Sequence, residues 1–363
     1  MQSVVQIGSA SPRAPTLATL EYFCNLANRQ DGAPVQRTAA EDIALVPYFS
    51  LGGFAPGSET LAKDAAPDWR PRPSMEKRFV RSPDGCRYAY ARFGSEEGNP
   101  PLLLLSHFRA SIDMWDPALL QRLAADRTLI VVDNRGIGLS DGTTPRTVEA
   151  MAGGIAEFMA SLGLGGVDVL GFSLGGYVAQ ALARIRPNLV RRLILAGTAP
   201  RGFGEDNAAG GRVRSIISKE LISPKDIIHL FFPPTAVGRA HGIEYIRRLS
   251  RRQVSPAGDV TETSWRAQMV AAEVWGARDP LAAAELTAIT QPTFVAHGEL
   301  DIMVAAEKSS ILASHVPDSV LKIYPGTGHG FLFQTFEEFG TDVVRFLADE
   351  SYQHAVLPDW EMK

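Results

Sequence analysis

Cysteine is nearly missing: Cys24 and Cys86 are the only two in 363 residues. They lie far apart, without metal-type spacing, and cannot build a disulfide framework, so a reducing compartment is the default. An excess of one charge is missing too. Thirty-six basic and 40 acidic residues leave a formal net charge of −4, which gives no field to attract nucleic acid. No apolar run approaches the ~20 residues that a membrane span needs. The N-terminus lacks a basic stretch followed by an apolar one, so no signal peptide is read there. Its opening stretch, Met1 to Leu20, holds one arginine and no acid, too little for a transit peptide. These absences predict a soluble, cytoplasmic protein with no nucleic-acid partner and no membrane span. What is present is ordinary for a globular chain, 45% hydrophobic and 21% charged. The length suffices for one large domain with insertions, or for two.

Residues 1–75 read differently from the rest. Eight prolines, from Pro12 to Pro73, and the Gly52-Gly53 pair punctuate them. Leu17, Leu20, Phe23 and Leu26 stand at helical spacing, and Ile43 to Phe54 is apolar enough to want burial. The expectation is a partly ordered extension packing on the core, with a lid segment or a homodimer contact open beside it.

From Glu76 the pattern is regular. Phe79-Val80 and Arg87 to Phe93 flank the turn signal Ser82-Pro83-Asp84-Gly85, which predicts a hairpin. Leu102 to Leu105, Thr128 to Val132, Val167 to Leu170, Leu189 to Leu195, Thr293 to Ala296 and Val320 to Tyr324 are continuous apolar runs. Such runs suit parallel strands buried on both faces. Helical patterns lie between them: Pro117 to Ala125, Val148 to Leu162, Leu174 to Arg186, Ala305 to His315 and Thr335 to Leu347. The alternation predicts an α/β fold with a mostly parallel, doubly wound sheet. Ligand sites in such sheets lie at the carboxyl ends of the strands.

The core, residues 76–200 and 292–350, is interrupted by residues 201–291, which carry helix signals and no strand. Ser223-Pro224-Lys225-Asp226 is a capping box with proline at the first helical position. Ala236 to Arg252, Thr263 to Gly276 and a run opened by Asp279-Pro280 follow. A helical cap that shields the site from water is the expectation. Its basic run (Arg247, Arg248, Arg251, Arg252) reads as a solvated helix face. Residues 351–363 are a C-terminal tail.

The chemistry concentrates where a strand-type run ends in Gly171-Phe172-Ser173-Leu174-Gly175 and a helix-forming run begins. That order suits a serine on a sharp strand-to-helix turn, with the glycines small because two backbones pass close together. A serine hydroxyl is a poor nucleophile at neutral pH and needs a base, itself oriented by an acid. Downstream, one strand ends in His297-Gly298-Glu299-Leu300-Asp301 and the last in Gly326-Thr327-Gly328-His329-Gly330-Phe331. Asp301 and His329 therefore sit at the edge where Ser173 projects. Glu299 is a rival acid and His297 a rival base. A tetrahedral intermediate would need two backbone donors: Leu174 N–H, after the serine, and one from Ser106-His107-Phe108-Arg109, after the strand Leu102 to Leu105.

The three elements resemble the nucleophile, acid and histidine elements of the α/β-hydrolase superfamily. Asp133-Asn134-Arg135-Gly136-Ile137-Gly138-Leu139-Ser140 is similar to the D-x-R-G-x-G-x-S loop of its cap-bearing, cofactor-independent members, which include esterases, lactonases, carbon–carbon bond hydrolases and enzymes of haloperoxidase type. The resemblance covers roughly residues 76–350. It implies a serine hydrolase with Ser173, Asp301 and His329 as the triad and Phe108 and Leu174 N–H as the oxyanion hole. No metal or cofactor is implied, and the partner is a small-molecule substrate. One departure stands out: Ser106-His107 replaces the usual His-Gly, which puts Phe108 at the donor position. His107, Arg109, Phe172 and Trp265 are the candidate pocket residues. A small or medium apolar ester or lactone is the expected substrate, because the cap region is rich in Phe, Trp, Ile and Leu. A diketone cleaved at a carbon–carbon bond is the alternative, and a hydrolase-fold protein that only binds its ligand is a third.

Overall fold

The computed structural model describes residues 75–96, 98–204, 210–250 and 260–348. The sequence readings on residues 1–74 and on the C-terminal tail lie outside the described residues. Strands β1 (Arg78–Arg81) and β2 (Arg87–Gly94) form the expected hairpin, followed by β3 (Leu102–Leu105), α1 (Pro117–Leu123), β4 (Thr128–Val132), α2 (Val148–Ser161), β5 (Val167–Phe172), α3 (Leu174–Ile185) and β6 (Val190–Ala196). Five helices come next: α4 (Gly211–Ile217), α5 (Pro224–Phe231), α6 (Ala236–Ser250), α7 (Glu262–Gly276) and α8 (Ala282–Thr287). The chain then returns as β7 (Thr293–Gly298), α9 (Glu307–His315), β8 (Ser319–Tyr324), α10 (Phe331–Gln334) and α11 (Phe336–Ala348).

The sheet order is β1-β2-β4-β3-β5-β6-β7-β8. β1 and β2 pair antiparallel, as do β2 and β4, while β3 to β8 run parallel. Successive side chains of one strand face opposite ways, and the burial follows that period. Leu102, Leu104, Leu129, Val131, Leu170, Ile194 and Phe294 pack on one face with α1 and α11. Leu103, Leu105, Ile130, Val132, Val169, Leu193 and Val295 pack on the other with α2, α3 and α9. That two-sided burial explains why these strands read as unbroken apolar runs rather than alternating ones. A leucine so buried stabilises by about 1.5–3 kcal/mol.

The helical segment between β6 and β7 differs from the sequence reading in two places. α4 carries no cap signal that announces it: Gly210 precedes it without a side-chain bond. Arg248 is not solvated. Its guanidinium pairs with the fully buried Asp116, Nε lying 2.9 and 3.1 Å from the two carboxylate oxygens, and also donates to Phe333 O at 3.2 Å. Arg247 keeps to the exposed face, half out in solvent near Glu244. The capping box of α5 forms as its spacing predicts, with Ser223 and Asp226 exchanging both bonds.

Candidate active site

Ser173 stands between β5 and α3 with φ 55° and ψ −118°, a left-handed value that a side-chain-bearing residue adopts only under constraint. The constraint is visible. Ser173 N–H donates to Ala196 O at 2.9 Å, and Ser173 O accepts from Gly176 N–H at 2.8 Å and from the Thr198 hydroxyl at 2.9 Å. A Cβ on Gly171 would lie 2.4 Å from Gly175 O, and one on Gly175 would lie 2.1 Å from Leu105 O. The two glycines are therefore required by backbone contact, as the motif predicts. Leu174 opens α3, so its N–H is among those a helix start leaves without an intrahelical partner.

Asp301 and His329 come together. His329 Nδ1 lies 2.7 Å from Asp301 Oδ2, and both side chains are buried. The other carboxylate oxygen accepts Met303 N–H at 2.7 Å and Val304 N–H at 3.0 Å. Burial alone would raise the Asp301 pKa. The charge on His329 and the hydrogen bonds from His297 and His329 outweigh it and hold the carboxyl well below the usual carboxylate range. In the neutral ring, with Nδ1–H donated to Asp301, the second nitrogen of His329 keeps a lone pair. The imidazole lies 5.0 Å, centroid to centroid, from the ring of Phe172, the residue before the serine. It also lies over Gly197, next to the Ala196 carbonyl that binds Ser173 N–H; a Cβ on Gly197 would be 3.6 Å from its Nδ1 and Cε1. No hydrogen bond joins Ser173 Oγ to His329 among the described residues. Such bonds are often long before substrate binds.

The rival residues separate by geometry. Glu299 is exposed and accepts Gly326 N–H at 2.8 Å, so it braces the histidine loop from outside. His297 is fully buried against Asp301: Nε2 lies 3.1 Å from Oδ2 and 3.0 Å from Val304 O, while Nδ1 lies 2.5 Å from Ser309 Oγ. With two acceptors at Nε2, that nitrogen carries the hydrogen, and Ser309 donates to Nδ1. One carboxylate oxygen thus takes two imidazole donors.

The glycines around His329 serve a different neighbour than the serine. A Cβ on Gly328 would lie 2.7 Å from Phe231 O, and Gly330 N–H donates to that oxygen at 2.7 Å. They are small because the last residue of α5 lies against the histidine loop. The Phe231 ring meets His329 at 5.5 Å and His107 at 5.1 Å.

The remaining candidate residues fall around the loop after β3. Phe108 is partly buried, and its carbonyl oxygen lies 2.9 Å from His107 Nδ1. Burial lowers the His107 pKa to about 3, so the ring is neutral with Nδ1–H as donor. Its Nε2 is buried without a partner among the described residues. The Arg109 guanidinium bonds to Lys219 O and Glu220 O and stacks on Trp265, which is 2% exposed. Phe172 is fully buried among Trp115, Phe231 and Phe333. The Asp133–Ser140 motif is a brace rather than a reacting group: Asp133 accepts Ile112 N–H at 2.7 Å and Leu139 N–H at 3.2 Å. Among the described residues no group of three or more His, Cys, Asp or Glu side chains could hold a metal ion, and no helix is long and apolar enough to cross a membrane.

A doubly wound sheet with a strained serine after β5 and an acid–histidine pair beyond β7 and β8 defines a hydrolase-type α/β protein. Residues 102–342 match the model of the Alpha/beta hydrolase family, and the chain belongs to that family. A poly(3-hydroxyalkanoate) depolymerase of Ectopseudomonas oleovorans is 26% identical over 260 residues, 71% of this chain and 87% of that protein. A 2-hydroxymuconate semialdehyde hydrolase of Pseudomonas putida is 29% identical over 267 residues, 71% of this chain and 90% of that protein. Among solved structures, an alpha/beta hydrolase fold protein from Chitinophaga pinensis superposes with a TM-score of 0.69 at 33% identity, covering 76% of this chain and 98% of that one.

Proposed function

We propose that this alpha/beta hydrolase is a serine hydrolase that cleaves a carboxylic ester or lactone of a small to medium apolar substrate. The observation that carries the reading is the Asp301–His329 pair at 2.7 Å, which leaves the far imidazole nitrogen basic beside a strained serine. Ser173 Oγ attacks the carbonyl carbon and gives its proton to His329 Nε2. Asp301 fixes the tautomer and stabilises the imidazolium. Phe108 and Leu174 N–H hold the oxyanion, each donor contributing ~3–4 kcal/mol. Collapse of the intermediate expels the alkoxide, which takes the proton from His329. Water, deprotonated by the same nitrogen, then releases the acid and restores Ser173. Residues 201–291 act as the cap: Phe231 on α5 covers His329, and the aromatic surroundings favour an apolar acyl group.

Carbon–carbon bond hydrolysis is the second reading, supported by the 29% identity to the semialdehyde hydrolase. Comparing turnover of an activated ester with that of a 1,3-diketone separates the two. Faster ester turnover is expected, and a diketone cleaved much faster than the ester would overturn the assignment.

A further inference from the structure

Among the described residues two non-glycine residues hold a left-handed φ: Ser173 at 55° and Arg109 at 58°. The first belongs to the elbow. The second follows Phe108, the proposed second oxyanion donor, and such a backbone persists only where its surroundings impose it. Here they do so from both sides of one peptide plane. The Phe108 carbonyl accepts from His107 Nδ1–H at 2.9 Å, and the Arg109 N–H donates to Gln268 Oε1 at 3.0 Å. Gln268 is buried and comes from α7, inside the helical insert. The Arg109 guanidinium reaches the same insert, donating to Lys219 O at 2.6 Å and Glu220 O at 2.7 Å just beyond α4, and stacking 4.6 Å from the Trp265 ring.

We propose that Gln268 is a positioning residue: from the insert it pins the Phe108–Arg109 peptide and thereby aims Phe108 N–H at the oxyanion. The inference rests on the serine-hydrolase reading above. It also accounts for the missing glycine in Ser106-His107. Where glycine would let the loop turn freely, this chain fixes the turn with two side chains, one from the core and one from the insert. Gln268 and Leu174, which carries the other proposed donor, line one cavity of about 20 Å³ together with Leu105, Ser106 and His107. That is room for little more than one water.

The test compares wild type with Gln268→Leu, which removes the acceptor at similar volume, and Gln268→Glu, which keeps it. Three readouts are taken: kcat and KM on an activated ester, affinity for a trifluoromethyl ketone, and hydrogen exchange of the segment 106–112. The ketone forms an oxyanionic adduct with a serine and so reports the hole directly. For Gln268→Leu, kcat falls about 10–100-fold, less than loss of a whole donor would cost. KM changes little, ketone affinity falls in step with kcat, and exchange of 106–112 accelerates. Gln268→Glu keeps the acceptor, so exchange of 106–112 stays close to wild type, while a buried carboxylate beside the oxyanion lowers kcat and ketone affinity. A folded Gln268→Leu with unchanged kcat and unchanged exchange overturns the proposal. So does a raised KM with kcat intact, which would make Gln268 a substrate-binding residue. If the wild type neither turns over ester nor binds the ketone, the hydrolase reading has failed. The exchange comparison then decides the tether alone, and unaltered exchange overturns it.

Discussion

Asp301→Asn perturbs the site at its most constrained group. Oδ1 accepts two backbone N–H groups, from Met303 at 2.7 Å and Val304 at 3.0 Å. Oδ2 accepts two imidazoles, His329 Nδ1 at 2.7 Å and His297 Nε2 at 3.1 Å. An asparagine NH₂ facing Met303 and Val304 would set donors against donors, so it must take the Oδ2 position. There it donates to His329 Nδ1, forcing the hydrogen onto Nε2, and meets one donor, His297 Nε2–H, which keeps Val304 O as its acceptor. A protonated Nε2 cannot accept from Ser173, so the variant loses the proposed base while His329 stays hydrogen-bonded at Nδ1. The expected loss is about 10⁴-fold in kcat, or about 5 kcal/mol of barrier at ~1.4 kcal/mol per tenfold. Initial rates on an activated ester measure it, with circular dichroism confirming the fold. A variant retaining more than about a tenth of wild-type kcat refutes the tautomer argument. The acid also sets a stability limb. Its folded pKa is held below the unfolded value, so its contribution is complete above about pH 4 and fades as pH falls further.

Three other outcomes follow from the packing. Arg248→Ala strands the buried carboxylate of Asp116, which also caps α1 through Ala118 N–H; such a loss costs about 3–5 kcal/mol, and a denaturant midpoint equal to wild type contradicts the pairing. Gly175→Ala drives a methyl to 2.1 Å from Leu105 O, so the elbow must shift; a loss of roughly 3 kcal/mol together with lost activity is expected, and a stable, active variant refutes it. Burial raises the Asp133 pKa to about 7 despite the N–H groups of Ile112 and Leu139. The folded value lies above the unfolded one, so its contribution is complete below about pH 4 and is lost as pH rises through about 7. Wild-type Tm therefore falls more than that of Asp133→Asn between about pH 5 and pH 8, and parallel curves exclude the shift.

Much of this was legible because the strands that carry the site are short, apolar and buried on both faces. β3 and β4 end where the apolar runs end, and Ser173 stands directly beyond β5, with Asp301 and His329 in the loops that follow β7 and β8. Local chemistry of that kind is written in neighbouring residues. What could not be read depends on partners distant along the chain. Arg248 looks like one of four surface arginines until Asp116, 132 residues away, supplies its carboxylate. The Arg109–Gln268 bond spans 159 residues, and neither residue type announces a strained backbone. Gly328 and Gly330 are small because the backbone of Phe231, distant along the chain, needs the space. Helix α4 went unseen because no side chain caps its start.

The central claim is that Ser173 is the nucleophile. Incubation with a fluorophosphonate probe, digestion and mass spectrometry test it directly. A phosphonyl adduct is expected on the peptide carrying Ser173 in the wild type and none in Ser173→Ala. A folded wild type that stays unlabelled at Ser173, or an adduct that survives the substitution, would contradict it.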